Sequence, residues 1–209
     1  MGYSSIHRSV ENNLVTSSRL PVIRLQIGPA FTYAGCQDFV LYGVAHAEQH
    51  LFVVARADRR VQRLVWVQFE AYLSGNSHTY DYSSSQQIEV AGWPFCHDAD
   101  WTDREKNARE RPDSDGTLML ALLRSRDFST GTLEIFERYV TLSPDRRSEL
   151  MLIYAEDAAD LGLDQEMLIA CGKHGEPWVS ARRELHARGL ASFSILEAQN
   201  ASSWSRSPC

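Results

Sequence analysis

Hydrophobic and polar positions alternate along residues 61–73, and this period of two predicts a β-strand. Val65, Val67 and Phe69 project to one face, which has the composition of a protein core. The opposite face combines two large aromatic side chains with an amide and a carboxylate: Trp66, Gln68, Glu70 and Tyr72. The pattern therefore predicts one core face and one face of mixed composition.

This mixed face is poorly suited to open solvent. Each of its large aromatic side chains buries roughly 150–250 Å² when packed, whereas its amide and carboxylate are costly to bury without hydrogen-bond partners. Ligand pockets combine aromatic walls with a few oriented polar groups, so we expect this face to line a cavity. Two alternatives stay open: a layer covered by a helix with its polar groups paired, and a solvated face.

Further short apolar runs, separated by turn residues, predict an antiparallel meander. The strands of this meander are predicted at residues 20–28, 39–45, 50–57, 61–73, 79–83 and 86–92. A second hairpin is predicted from residues 135–142 and 148–156, with a polar turn between them.

Helical signals concentrate in the second half of the chain. Residues 117–125 predict a short helix, and the charged stretch before them, residues 96–116, predicts a loop or a solvated helix. Strands that come mainly first and helices that come mainly later are typical of α+β proteins. We therefore predict a curved antiparallel sheet, which closes into a barrel-like cup in one version, with helices mostly in the C-terminal part.

Two helices near the C-terminus carry end signals. Asp164 is the expected N-cap of a helix that has Gly172 just past its C-terminus. Pro177 suits the first position of the next helix, and Gly189 is expected to end it. Residues 190–196 then either continue that helix or add a last strand.

The two ends of the chain are polar. Residues 1–18 are expected to form a flexible N-terminal segment, and the serine-rich residues 198–209 a disordered tail. Between them we predict a single α+β domain over residues 19–197, which agrees with a length of 209 residues and a hydrophobic fraction of 44%.

Charge and composition exclude several classes of partner. A formal net charge of -6 argues against non-specific nucleic-acid binding, which needs a cationic face. Apolar runs are too short to span a membrane, and the N-terminus has no signal-peptide pattern, so a cytoplasmic location without membrane partners is expected. The four cysteines are far apart and are expected as free thiols. The oligomeric state stays open.

Several sequence motifs of common enzyme classes are missing. The chain has neither the glycine-rich dinucleotide motif nor the P-loop motif, and it lacks the GxSxG motif of hydrolases. We therefore expect no nucleotide cofactor and no covalent nucleophile. No other cofactor is expected.

Two short clusters contain residue types that bind metals. His46 and His50 are four residues apart, but Glu48 does not occupy the position of the zinc-protease glutamate, and the strand-like flanks predict a solvated turn. The second cluster is nearly contiguous: Cys96, His97, Asp98 and Asp100. Contiguous residues rarely converge on one ion, so this cluster is expected to be an acidic surface loop, and no metal site is expected.

The strand register decides which other side chains join the mixed face, because a one-residue slip moves every side chain across the sheet. Tyr80 and Tyr82 share one face of the predicted strand at residues 79–83, and they lie beside the mixed face if this strand pairs with residues 61–73.

His50 depends on the same register. A two-residue turn at positions 58 and 59 pairs His50 with Val67, whereas a three-residue turn pairs it with Gln68, next to Glu70. Only the second register places an imidazole beside the carboxylate, as an acid–base site requires.

These observations favour a small-molecule-binding protein with a sheet-lined cavity. Its candidate ligand-binding residues are Trp66, Gln68, Glu70, Tyr72, Tyr80 and Tyr82. One alternative is an enzyme in which buried Glu70 acts as general acid or base with His50, because burial raises a carboxyl pKa. The other alternative is a structural or protein-interaction domain whose aromatic face packs against a partner.

Overall fold

The computed structural model describes residues 8–197, which form two antiparallel sheets and four α-helices. The strands are β1 (Arg8–Glu11), β2 (Leu14–Ser18), β3 (Val22–Ile27), β4 (Thr32–Leu41), β5 (Ala45–Ala55), β6 (Val61–Tyr72), β7 (Gln86–Val90), β8 (Trp93–Asp103), β9 (Leu133–Leu142), β10 (Ser148–Asp157) and β11 (Phe193–Glu197). The helices are α1 (Arg104–Glu110), α2 (Asp115–Ser125), α3 (Gln165–Cys171) and α4 (Trp178–Ser192), with short 3₁₀ helices at Ala158–Leu161 and Gly172–His174.

The smaller sheet has four strands in the order β1-β2-β3-β11, and the larger has seven in the order β4-β5-β6-β10-β9-β8-β7. Neighbouring strands are antiparallel throughout. The prediction of an α+β fold with an antiparallel sheet and mainly C-terminal helices is therefore confirmed. The large sheet ends in the two edge strands β4 and β7, so it does not close into a barrel.

One hydrophobic core fills the space between the two sheets. From the large sheet it contains the predicted core face of β6, made of Val65, Val67 and Phe69. The small sheet and α4 supply the side chains packed against this face, among them Val15, Ile23, Leu25, Ile27, Trp178 and Leu185. The alternation of β6 thus identifies the face that meets the small sheet.

A second core lies on the other face of the large sheet, beneath α2. Trp66 of β6 packs here with buried side chains of that helix: Met119, Leu120, Leu122 and Leu123. Ser114 caps α2 by accepting a hydrogen bond from the backbone N–H of Thr117, as N-cap serines commonly do. Both faces of β6 are therefore covered, and the strand is an interior strand of the large sheet.

The N-terminal segment differs from the expectation. Residues 8–18, predicted to be flexible, form β1 and β2 of the small sheet. Val15 is fully buried, so hydrophobic contact with the rest of the core holds this segment in place. Residues 1–7 and the predicted tail at 198–209 lie outside the described residues.

Three local predictions about the strands are also wrong. His46 and His50 lie within β5 rather than in a solvated turn, because this strand starts earlier than expected. Residues 96–100 lie within β8 rather than in an acidic loop. Residues 79–83 form no strand, although the hairpin of β9 and β10 and the strand at β7 are present as predicted.

The C-terminal helices agree with their predicted starts. Asp164 caps α3 and accepts a hydrogen bond from the backbone N–H of Met167. Pro177 precedes α4 by one residue. Gly189 does not end α4, which continues to Ser192, because this glycine packs against the sheet inside the helix. The following residues form β11, the second of the two alternatives.

Two further expectations concern membrane-spanning helices and the state of the cysteines. Among residues 8–197, no helix has the length and apolarity needed to cross a membrane. Cys36 and Cys171 are free thiols, whereas Cys96 is disulfide-bonded, so the expectation of four free thiols is wrong.

Candidate functional site

Gln68 is at the centre of the polar face of β6 and is fully buried. Its Oε1 accepts hydrogen bonds from Gln49 Nε2 at 2.8 Å and from Trp66 Nε1 at 3.2 Å. Its Nε2 donates to Glu70 Oε2 at 2.8 Å and lies 3.5 Å from Asp115 Oδ2. The whole hydrogen-bonding capacity of the amide is used, which explains how a glutamine is accommodated beneath a helix.

The two tyrosines of the segment before β7 each hydrogen-bond to a buried carboxyl group. Tyr80 donates to Glu70 Oε1 at 2.7 Å, and its ring stacks on Tyr72 with ring centroids 4.4 Å apart. Tyr82 donates to Glu149 Oε2 at 3.0 Å. Tyr80 therefore joins the mixed face of β6, and Tyr82 contacts the neighbouring strand β10, although neither tyrosine lies in a strand.

Three carboxyl groups are close together in this network. Burial raises the pKa of Glu149 to about 8, and the nearby charge of Glu70 adds to the increase. Burial also raises the pKa of Glu70 and of Asp115, against the opposing hydrogen bonds that each carboxyl accepts. Burial and the nearby like charges therefore shift all three carboxyl groups toward their protonated forms, relative to exposed carboxyls.

A cavity of about 480 Å³ lies between the large sheet and the helices α1 and α2. Its apolar lining includes Trp66, Met119, Phe136, Met151 and Ile153. Its polar lining includes Asn107, Arg111, Asp115, Thr117 and Arg138. The lining thus combines aromatic and aliphatic side chains with about as many polar and charged ones, and ligand pockets use such polar groups to orient a molecule against an apolar wall.

The charged groups around this cavity differ in how they are paired. Arg138 forms an ion pair with Asp98, and Arg104 forms one with Glu134. Within the described part of the chain, the exposed guanidinium of Arg111 has neither a hydrogen bond nor an ion pair. Arg111 is therefore a cationic group at the cavity that is available to a ligand.

The predicted ligand-binding residues are thus divided between the cavity and the network beside it. Trp66 lines the cavity. The others are paired in the network: Gln68, Glu70, Tyr72, Tyr80 and Tyr82. Gln68 and Glu70 are buried with their polar groups hydrogen-bonded, as in the alternative of a covered layer with paired polar groups. Asp115 connects the two parts, since it lines the cavity and approaches Gln68.

Sequence reasoning missed Asp115 and Glu149. Asp115 follows the N-cap Ser114, and a serine before an apolar run is a recognised helix-start signal that was present in the sequence. Glu149 alternates with Met151 and Ile153 along β10, so the period of two places it on the same face as these cavity residues.

His50 lies on the opposite face of the sheet from Glu70. It pairs with Val67, which is the first of the two registers considered, and its ring meets Phe69 edge-on. Its Nε2 lies 2.8 Å from Glu48 Oε1, in a buried group. The proposed acid–base pair of His50 with Glu70 is therefore not formed.

A different group of metal-ligand types converges on the face of the large sheet that packs against α4. His97 of β8, Glu137 of β9 and His186 of α4 each offer one ligand atom, and these atoms lie within 4.8 Å of one another. The remaining members of the predicted cluster at residues 96–100 do not join them, because side chains alternate along β8.

Comparison with known proteins gives no relative for this chain. No protein-family model matches it, and neither does any curated protein or solved structure.

Proposed function

We propose that this protein binds a small organic molecule in the cavity between the large sheet and the helices α1 and α2. The volume of this cavity, about 480 Å³, supports the proposal because ligand pockets typically span roughly 300–1,000 Å³. The molecule has an apolar part that contacts Trp66 and Met151, and an anionic group that pairs with Arg111.

The hydrogen-bond network beside the cavity supports the same proposal. Asp115 accepts a hydrogen bond from the backbone N–H of Gly116 at 2.8 Å and lies within reach of Gln68. Gln68 is itself held by Gln49 and Trp66. Preorganised polar groups lose little conformational freedom when a ligand binds, so this arrangement favours recognition.

The protein-interaction alternative has less support. It calls for a large exposed apolar patch and no concavity, whereas a concavity of about 480 Å³ is present. The cavity is the single observation that favours the binding function over this alternative.

The proposal can be tested with a dye that has the required chemistry. Anilinonaphthalene sulfonate combines an aromatic body with an anionic group, and its fluorescence rises in an apolar site. We expect saturable binding at one site per chain, and native mass spectrometry of freshly purified protein should show whether a cellular molecule is retained.

Two matched variants locate the binding site. Ala108 lines the cavity, whereas Ala121 is exposed on α2. Ala108→Trp should fill the cavity and abolish dye binding, and Ala121→Trp should leave it intact. Equal binding by the two variants, or no saturable binding by the native protein, would contradict the proposal.

An enzyme that uses the same cavity is the second candidate, and Asp115 is the observation that favours it. Its carboxyl lines the cavity and has a pKa raised by burial, as a general acid often has. If Asp115 is catalytic, Asp115→Asn should retain a molecule of different mass from the one that the native protein retains. Identical masses would favour the binding function alone.

A further inference from the structure

His97, Glu137 and His186 lie on the sheet face opposite the cavity just described. His97 is opposite Tyr139 in the pairing of β8 and β9, and Glu137 is opposite Ala99. His97 and Glu137 are therefore diagonal neighbours on one face of the sheet. α4 adds His186, so three separate elements supply the three side chains.

The distances within this group are close to those of a metal site. Glu137 Oε1 lies 3.4 Å from His97 Nε2, and Glu137 Oε2 lies 3.0 Å from His186 Nδ1. Ligand atoms about 2.0–2.1 Å from a tetrahedral zinc ion are separated by about 3.4 Å. Small side-chain movements therefore suffice to bring all three groups onto one ion.

The buried members of the group have unsatisfied polar atoms. His97 is only 5% exposed, and neither of its ring nitrogens has a hydrogen-bond partner. Glu137 Oε1 also lacks one, because its 3.4 Å contact with His97 does not have hydrogen-bond geometry. Buried polar atoms are nearly always paired, so these unpaired atoms are available to a ligand between them.

We propose that His97, Glu137 and His186 bind a zinc ion, with the fourth coordination position open to solvent or to a ligand. Two imidazoles and one carboxylate with an open position form a ligand set typical of catalytic rather than structural zinc. This inference departs from the sequence-based expectation of no metal site and does not depend on the function proposed for the other cavity.

The surroundings hold the carboxylate in place. The Tyr139 hydroxyl donates a hydrogen bond to Glu137 Oε2, as groups around metal ligands commonly do. Gly189 allows α4 to come near, since a Cβ at this position would lie 3.0 Å from the Tyr139 hydroxyl and 3.2 Å from Glu137 Oε2. The close packing of α4 brings His186 within reach of the other two ligands.

The open position faces a cavity of about 310 Å³ with a cationic lining. Lys173, Arg182 and Arg183 all line it, and only Lys173 has a carboxylate partner, Asp100, within the described residues. These charges favour an anionic molecule as the fourth ligand, such as a carboxylate or a phosphate ester.

The test uses the full-length protein without a polyhistidine tag, stripped with a chelator and titrated with zinc chloride alone. We expect one equivalent to bind and the melting temperature to rise. Cobalt chloride should give a visible spectrum of tetrahedral character without a thiolate charge-transfer band in the near ultraviolet, because Cys36 and Cys171 are not ligands. Binding with a thiolate band would overturn the assignment.

His186→Ala is the most informative variant, because this side chain is 41% exposed and its loss should not prevent folding. We expect zinc affinity to fall by at least roughly 10-fold, since even residues that only support a ligand often contribute that much. His174→Ala, at an exposed histidine nearby in the sequence, should bind zinc normally. Equal zinc affinity of the two variants would overturn the proposal, as would the absence of saturable binding by the native chain.

Discussion

Glu70 on β6 and Glu149 on β10 lie directly opposite each other on antiparallel strands, and both side chains are buried. Within residues 8–197 neither carboxyl forms a salt bridge, so tyrosine hydroxyls and the Gln68 amide are their hydrogen-bond partners. Two buried carboxyl groups at facing positions disfavour each other's ionised form, and this relationship makes the stability of the protein depend on pH.

The first prediction concerns this pH dependence. The pKa of Glu149 rises from 4.5 to about 8 on folding, mainly through burial, so the folded state binds its proton more tightly than the unfolded chain does. The contribution of Glu149 to stability is therefore fully present below about pH 4.5 and is lost as the pH rises through about 8. Urea unfolding across this range should show falling stability for the native protein and a flatter profile for Glu149→Gln. A profile that is equally steep in both proteins would contradict this prediction.

The second prediction concerns Glu70→Gln. The new amide accepts from Gln68 and donates to the Tyr80 hydroxyl, so both hydrogen bonds are kept while a buried ionisable group becomes neutral at every pH. Stability at neutral pH should be equal or higher. The matched control is Glu156→Gln, which removes the charge that pairs with the partly exposed Arg188 and should cost about 1 kcal/mol. A loss of about 3–5 kcal/mol in Glu70→Gln would show that its carboxylate has a cationic partner.

The third prediction concerns the core face of β6. Phe69 is 2% exposed and packs between the two sheets, so Phe69→Ala leaves a cavity and should lower the free energy of unfolding by about 3–5 kcal/mol. Phe39→Ala, at a half-buried position of the edge strand β4, should cost clearly less. Chemical denaturation of both variants measures the difference. Equal losses in the free energy of unfolding would contradict the position of Phe69 in the core between the two sheets.

The fourth prediction compares two helical glycines. A Cβ at Gly189 would lie 3.0 Å from the Tyr139 hydroxyl, whereas a Cβ at Gly116 has no such neighbour nearer than 4.0 Å. Gly189→Ala should therefore destabilise the protein by about 1–3 kcal/mol through overpacking. Gly116→Ala should be neutral or stabilise it by up to about 1 kcal/mol, since alanine favours the helix. Thermal unfolding distinguishes the two, and a stabilised Gly189→Ala would contradict the close packing of α4.

Local sequence patterns determined much of the secondary structure. The alternation along β6 separated its two faces correctly, because adjacent side chains of a strand must point in opposite directions. Asp164 marked the start of α3 for a similarly local reason, since its side chain bonds a backbone N–H only three residues away. Such contacts depend on a few neighbouring residues and can be recognised from the sequence alone.

The tertiary structure decided which polar groups meet. The register between β5 and β6 placed His50 opposite Val67 and away from Glu70, and no local pattern distinguishes this register from the alternative. Asp115 reached Gln68 across a separation of 47 residues, and His186 reached Glu137 across 49. These contacts arise because burial of the two hydrophobic cores sets where each strand and helix lies. The polar side chains of both sites are brought together by packing that is distributed over the whole chain.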